Sequence, residues 1–256
     1  MIRLHKHLAQ STPLSLRAAE RAIAAGEVTV DGARVTAMGV TVDPARQTIC
    51  YRGIPTTRAK GHCYLAFYKP KQTIVSKRDP QGRKTVWSCL PPRWQRVNAV
   101  GRLDYDSEGL LLLTNDGVLH QRLSHPRFGV AKVYLVKVHG HPTQRVLQQF
   151  VAGCVDAGET LKAVSVERGA TTERHAWIRI VLHSGRYRHI RRMCEQLGHP
   201  VLKLKRIAYG PITLGRLRAG QSRKLTPYEV RTLLALSQFL LPSDGECGYR
   251  STTDAG

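Results

Sequence analysis

The sequence predicts an α+β fold divided between a small N-terminal module and a larger second domain. Short apolar strands alternate with isolated amphipathic helices, with no internal repeat or low-complexity tract. Hydrophobic residues make up 42% of the 256 positions, enough for one medium core and a small one. A stretch carrying Gly53, Pro55 and two threonines separates them. The expected boundaries are a module over 1–48, a linker over 49–60, a main domain over 61–241 and a disordered polar tail over 242–256.

In the module, Ile2, Leu4 and Leu8 predict a first helix that breaks at Ser11-Thr12-Pro13. Ser15 caps a second, whose apolar face is Leu16, Ala19 and Ile23 and whose stop is Gly26. Residues 28–35 predict a hairpin turning at Asp31-Gly32. Arg3, Lys6, Arg17 and Arg21 fall on and beside the helices. The main domain opens with a strand over 63–68, followed by a basic, turn-rich loop over 76–84 suited to phosphate contact.

Next comes Gly101-Arg102-Leu103-Asp104-Tyr105-Asp106-Ser107-Glu108-Gly109, then four leucines and an Asn115-Asp116-Gly117 turn. The leucines predict a strand buried on both faces, with Asp104 on the loop that feeds it. That geometry can fix a functional carboxylate. From spacing alone, an Asx-turn at Asp104 or Asp106 is the favoured reading, since turn residues are commoner than catalytic ones.

Further elements follow: a helix over 118–123, a strand over 132–138, a helix capped by Thr143 and a strand over 176–182. After Gly185, a helix buries Ile190, Met193, Cys194 and Leu197, with Arg186, Arg188, Arg191 and Arg192 crowding its start. Cations there oppose the helix dipole, so an anionic partner is implied. An alternating strand over 201–207 has a basic face, and Thr226-Pro227-Tyr228-Glu229 is a capping box for a last helix.

The formal charge of +22 exceeds what solubility asks for and favours a polyanion, nucleic acid before membrane. Cys50, Cys63, Cys89, Cys154, Cys194 and Cys247 form no C-x-x-C pair and no zinc spacing. They are expected to be reduced and mostly buried. With no signal segment and no long apolar run, a soluble cytoplasmic protein is expected.

Gly101-Arg102-Leu103-Asp104, the following Gly109-Leu110-Leu111 and the Thr114-Asn115-Asp116-Gly117 turn resemble the signature of the RsuA/RluB/RluE/RluF family of ribosomal RNA pseudouridine synthases. Residues 185–193 resemble that family's G-R-x-x-Q-[IV]-R-R-M motif, with Tyr187 where Asn is frequent and His189 where Gln stands. His189 could be a base, an RNA contact or a tolerated polar replacement. Asp79-Pro80-Gln81-Gly82-Arg83 resembles the RluB-like branch, whereas Lys69-Pro70-Lys71-Gln72 has Gln72 in place of the family's glycine. The first 48 residues are similar to the RNA-binding module named after ribosomal small-subunit protein four.

The resemblance implies a catalytic domain of mixed, mostly antiparallel sheet with flanking helices, crossed by a cleft. It makes Asp104 the catalytic carboxylate, Arg191 its ion-pair partner and Tyr134 the ring against the uracil. Arg102 would help extrude the nucleotide. Arg186, Arg188 and Arg192, with Arg3, Lys6, Arg17 and Arg21, would contact RNA. The partner would be ribosomal RNA or a pre-ribosomal particle, large subunit favoured, and the enzyme a monomer.

Isomerisation of uridine involves no redox change or phosphoryl transfer, so no cofactor or metal is expected. A buried aspartate stays ionised only if a cation favours its charged form, hence the role given to Arg191. Two other readings compete: a non-catalytic RNA-binding or ribosome-assembly protein, and a nucleoside hydrolase using Asp106 and Glu108 as paired carboxylates.

Overall fold

The computed structural model describes residues 1–56 and 61–239. Two units divide the chain after His62. The first contains β1 (Ile2–Arg3), α1 (Leu4–Ser11), α2 (Leu16–Ala24), β2 (Val28–Val30), β3 (Ala33–Arg34), β4 (Thr41–Val42), β5 (Ile49–Tyr51) and β6 (Ile54–Pro55). Strands β3-β2-β5-β6 form one sheet, and β1 pairs with β4. Leu4, Leu8, Ala19, Ile23, Val28 and Ile49 fill the core between helices and sheet. Asp31 and Gly32 both adopt positive φ, 51° and 83°, as a tight hairpin turn of this twist requires.

Two expectations for this unit are corrected. Residues 49–55 are not linker: β5 pairs with β2 through Val28↔Tyr51 and Val30↔Ile49, and the apolar Ile49 belongs to the core. Leu16 is 50% exposed, because the first turn of α2 projects past the core and Ala22 takes the inner position.

The second unit contains β7 (Tyr64–Lys69), β8 (Asn98–Ala99), β9 (Glu108–Thr114), α3 (Gly117–Ser124), β10 (Lys132–His139), α4 (Gln144–Ala152), β11 (Cys154–Asp156) and β12 (Glu159–Leu161). It continues with β13 (Ser165–Thr171), β14 (His175–Leu182), α5 (His189–Gln196), β15 (Val201–Tyr209), β16 (Ile212–Thr213), β17 (Ser222–Lys224) and α6 (Pro227–Phe239). One sheet runs β13-β14-β10-β15-β9-β7-β17, with β16 beside β15 and β8 beside β9. Among these pairings only β15–β9 is parallel, so the sheet is mixed and mostly antiparallel.

The leucine run of β9 lies inside the sheet, between β15 and β7. Leu110 and Leu112 enter the cluster built with α3 and α6, while Leu111 and Leu113 enter the opposite cluster with Trp87 and Val97. Side-chain alternation along a strand produces this split, and both faces are dry. The remaining sheet face, Val136, Ile178 and Ile180, packs against Leu147 and Phe150 of α4 and Met193 of α5. Thr226 and Glu229 close the expected capping box at α6 through reciprocal bonds of 3.2 and 2.8 Å.

Four of the five described cysteines are only half-buried and Cys194 alone is buried, against the expectation that most would be. Cys247 and the expected tail, 242–256, lie outside the described residues, as do linker positions 57–60. Among the described residues no helix is long and apolar enough to cross a membrane.

Candidate active site

Asp104 stands on the loop between β8 and β9. The turn Asp104-Tyr105-Asp106-Ser107 is closed by the Ser107 N–H donating to the Asp104 carbonyl at 3.1 Å. Beneath it lies Lys69, fully buried at the end of β7. Its Nζ donates to the Ser107 carbonyl at 2.7 Å and approaches that of Tyr105 at 3.5 Å. The Gln72 N–H donates to the Tyr105 carbonyl at 2.8 Å, from a residue at φ 55° where the family's glycine would be unstrained. Burial pulls the Lys69 ammonium down to about 8, opposed first by the charge of Asp104. At neutral pH it therefore remains a fixed cation under the turn.

A cavity of about 300 Å³ opens beside this loop, lined by Arg102, Asp104, Lys132, Tyr134, Tyr187 and Arg206 among others. Lys132 and Tyr134 share one face of β10, two residues apart. Lys132 donates to the carbonyls of Val130 and His183 at 2.9 and 3.0 Å. Burial, then the nearby charge of Arg206, lowers its ammonium to about 8.

The adjoining wall comes from β15, the neighbouring strand, where alternation would send Arg206 and Tyr209 to opposite faces. A bulge prevents that. The β10–β15 register shifts between Val133 and Tyr134, so Lys132 faces Tyr209 and Tyr134 faces Arg206. One extra residue thus gathers all four side chains around one cavity. Arg206 is 1% exposed; its Nε donates to the Leu110 carbonyl at 2.7 Å, and its guanidinium lies 5.1 Å from the Tyr209 ring centroid. Its Nη2 has no protein acceptor.

The arrangement offers a carboxylate, two buried phenols and two buried cations around a pocket of small-ligand size. Among the described residues no group of three His, Cys, Asp or Glu side chains is placed to hold a metal ion.

Residues 63–196 match the RNA pseudouridylate synthase family. A ribosomal large subunit pseudouridine synthase B of Bacillus subtilis (strain 168) is 39% identical over 242 residues, 93% of this chain and 97% of that protein. The chain belongs to the RNA pseudouridylate synthase family. An RNA pseudouridine synthase of Aquifex aeolicus (strain VF5) is 36% identical, covering 91% of this chain and 93% of its own. A solved pseudouridylate synthase superposes with a TM-score of 0.63 at 26% identity, over 91% of this chain and 100% of that one. The chain is thus an RNA pseudouridine synthase, and its relatives support the RsuA/RluB group named from its motifs.

Within this synthase the expected residues divide. Asp104, Tyr134, Arg102, Arg186 and Arg188 all line the cavity. The expected Asp104–Arg191 ion pair is not formed. Arg191 Nη2 instead lies 3.7 Å from the Asp106 carboxylate and 3.4 Å from the Asp106 carbonyl. The tight turn carries Asp106, rather than Asp104, out to α5. Among the described residues, no hydrogen bond or ion pair within 4.0 Å engages the Asp104 carboxylate, so it makes no Asx-turn either.

Arg192, expected to contact RNA, is bound inside the protein. It pairs with Asp156 and with Glu159 at 2.6 Å, pinning the β11–β12 hairpin to α5. In the first unit Lys6, Arg17 and Arg21 are exposed, while the Arg3 guanidinium bonds the Gly39 carbonyl.

His189 is buried, with Nδ1 3.2 Å from the Ser184 hydroxyl. Burial, then the charges of Arg186 and Arg192, depress it to about 4. The side chains that sequence reasoning passed over are Lys69, Arg206 and Tyr209. On β15 Lys203 and Lys205 keep the basic face expected over 201–207, while Arg206 falls on the other face with Leu204 and is buried. A lysine or arginine inside a strand reads as solvated from sequence; only the burial of Lys69 and Arg206 reveals otherwise.

Proposed function

We propose that this enzyme converts a uridine of ribosomal RNA, in the large subunit by preference, to pseudouridine in the cytoplasm. Asp104 is the catalytic carboxylate. The observation that carries this reading is that Asp104 and Tyr134, distant in sequence, line one cavity at the ends of core strands.

The reaction breaks the bond between ribose C1′ and uracil N1, turns the base and joins C1′ to C5. N1 gains a proton and C5 loses one, so mass is conserved. Asp104 acts on the everted nucleotide, and the Tyr134 ring packs on the uracil with its hydroxyl near the proton to be moved. Arg191 is a positioning residue: it holds Asp106 and thereby the turn that begins at Asp104. Arg102 at the cavity wall assists extrusion of the nucleotide. The exposed cations of the N-terminal unit supply phosphate contacts.

The hydrolase reading lacks support because its two carboxylates are occupied: Asp106 by Arg188 and Arg191, and Glu108 by the Tyr68 hydroxyl at 2.9 Å.

Mapping pseudouridines in ribosomal RNA from cells with and without the gene, complemented by the wild type or by Asp104→Asn, tests the proposal. One pseudouridine should vanish with the gene and return only with the wild type. Purified Asp104→Asn should bind the RNA normally while turnover falls by at least a thousandfold, on the order expected for loss of an essential catalytic group. A variant that still isomerises would remove Asp104 from the mechanism.

A further inference from the structure

The loop between β14 and α5 carries two arginines, and a third stands on the first turn of α5; each has a partner within the protein. Arg186 donates to the Thr160 carbonyl at 2.9 Å, Arg188 lies 3.7 Å from the Asp106 carboxylate, and Arg192 of α5 holds Asp156 and Glu159. Arg192 also reaches back to the Tyr187 carbonyl at 3.5 Å. These bonds fix the loop on three sides.

The side chain left over is Tyr187. It is 74% exposed and lines the cavity. Among the described residues no hydrogen bond, ring contact or cation contact engages its phenol. A single exposed aromatic is unremarkable by itself. Here the ring is held on a pinned backbone, at the mouth of the catalytic cavity and between two guanidinium-bearing residues. That combination favours a flat, electron-rich partner attached to a polyanion.

Everting a uridine supplies one. Once the target leaves its stack, the base next to it loses a stacking face, and unpaired RNA bases are commonly read by aromatic side chains. We infer that Tyr187 stacks on the base of the nucleotide adjacent to the target uridine. Because the loop is already fixed, little ordering entropy opposes the contact. This assignment rests on the pseudouridine synthase reading of the cavity and names a substrate contact within it.

The test uses the full-length enzyme and the ribosomal RNA fragment in which mapping locates the modification. 2-Aminopurine replaces the nucleotide on the 5′ side or the 3′ side in turn, and its fluorescence reports stacking. Wild-type enzyme should quench the probe at one of the two positions. Tyr187→Phe and Tyr187→Trp should retain the quench, whereas Tyr187→Ala should lose it and bind the RNA about tenfold more weakly, as expected for one lost base–aromatic contact. Tyr228, 71% exposed on α6 and outside the cavity, provides the control: Tyr228→Ala should match the wild type.

Two results overturn the inference while leaving the functional proposal standing. Tyr187→Ala could quench and bind like the wild type, or Tyr187→Phe could be as weak as Tyr187→Ala, which would assign the effect to the hydroxyl. Failure of the wild type to make pseudouridine in any RNA would overturn the functional reading itself, and this assignment with it.

Discussion

His189 carries a cost that titration exposes. Its folded-state value of about 4 lies below the ordinary histidine value of 6.5, because burial and the charges of Arg186 and Arg192 disfavour the imidazolium. Between those two values the unfolded chain binds the proton and the folded chain does not. Stability from this group is therefore complete above about pH 6.5 and is lost as pH falls towards about 4. His189→Gln should flatten the fall in melting temperature across that window. It should not abolish it, since buried His7 is lowered in the same direction. An unchanged pH profile in the variant would show that the imidazole is hydrated or protonated when folded. Sequence could place His189 where the family has Gln, but not choose between base, RNA contact and replacement. In the structure the ring is buried beside Ser184 and lines the cavity, so its surroundings come from tertiary packing.

Among the strands, the parallel contact between β15 and β9 fixes the site, and one glycine permits it. Gly109 has φ 111° and faces Arg206 in the register. A Cβ there would stand 2.2 Å from the Arg206 carbonyl oxygen and 2.7 Å from its nitrogen. Neither is a movable side chain, so the strands would have to separate. Gly109→Ala should lower stability by about 3 kcal/mol or more, from overpacking plus left-handed backbone strain, read as a lower urea midpoint. Gly117→Ala, where nothing lies within 4 Å of the added carbon, should leave the stability within about 0.5 kcal/mol of the wild type. The same contact lets Arg206 reach the Leu110 carbonyl and keeps the Asp104 loop beside the cavity wall. The leucine run predicted β9 correctly because continuous apolarity is local information. The β10–β15 bulge and the parallel register are not, for they arise from pairing between segments far apart in the chain.

At the scale of the whole molecule, the net charge of +22 governs association. Phosphate contacts release counterions, so affinity for RNA should fall steeply with salt. Lys6, Arg17 and Arg21 are exposed on the helices of the first unit. Replacing all three with Ala should make the slope of log K against log salt shallower by about 2, at roughly 0.7 per phosphate on a single strand. Turnover at saturating RNA should be unchanged. An unaltered slope would mean that this unit does not touch the backbone.

The sequence by itself determined the α+β class, most helices and core strands, the basic character and the loop that carries Asp104. Each is encoded over a few neighbouring residues, as periodicity, a cap, a turn or a long motif. The tertiary structure decided which guanidinium meets which carboxylate. Arg191 and Arg192 are adjacent in the chain, yet one reaches Asp106 and the other Asp156 and Glu159. It also drew residues 49–55 into the first unit and buried Lys69 and Arg206 where polar strand positions suggested solvent. Such outcomes depend on how distant segments pack, and a side chain's type does not reveal what will face it.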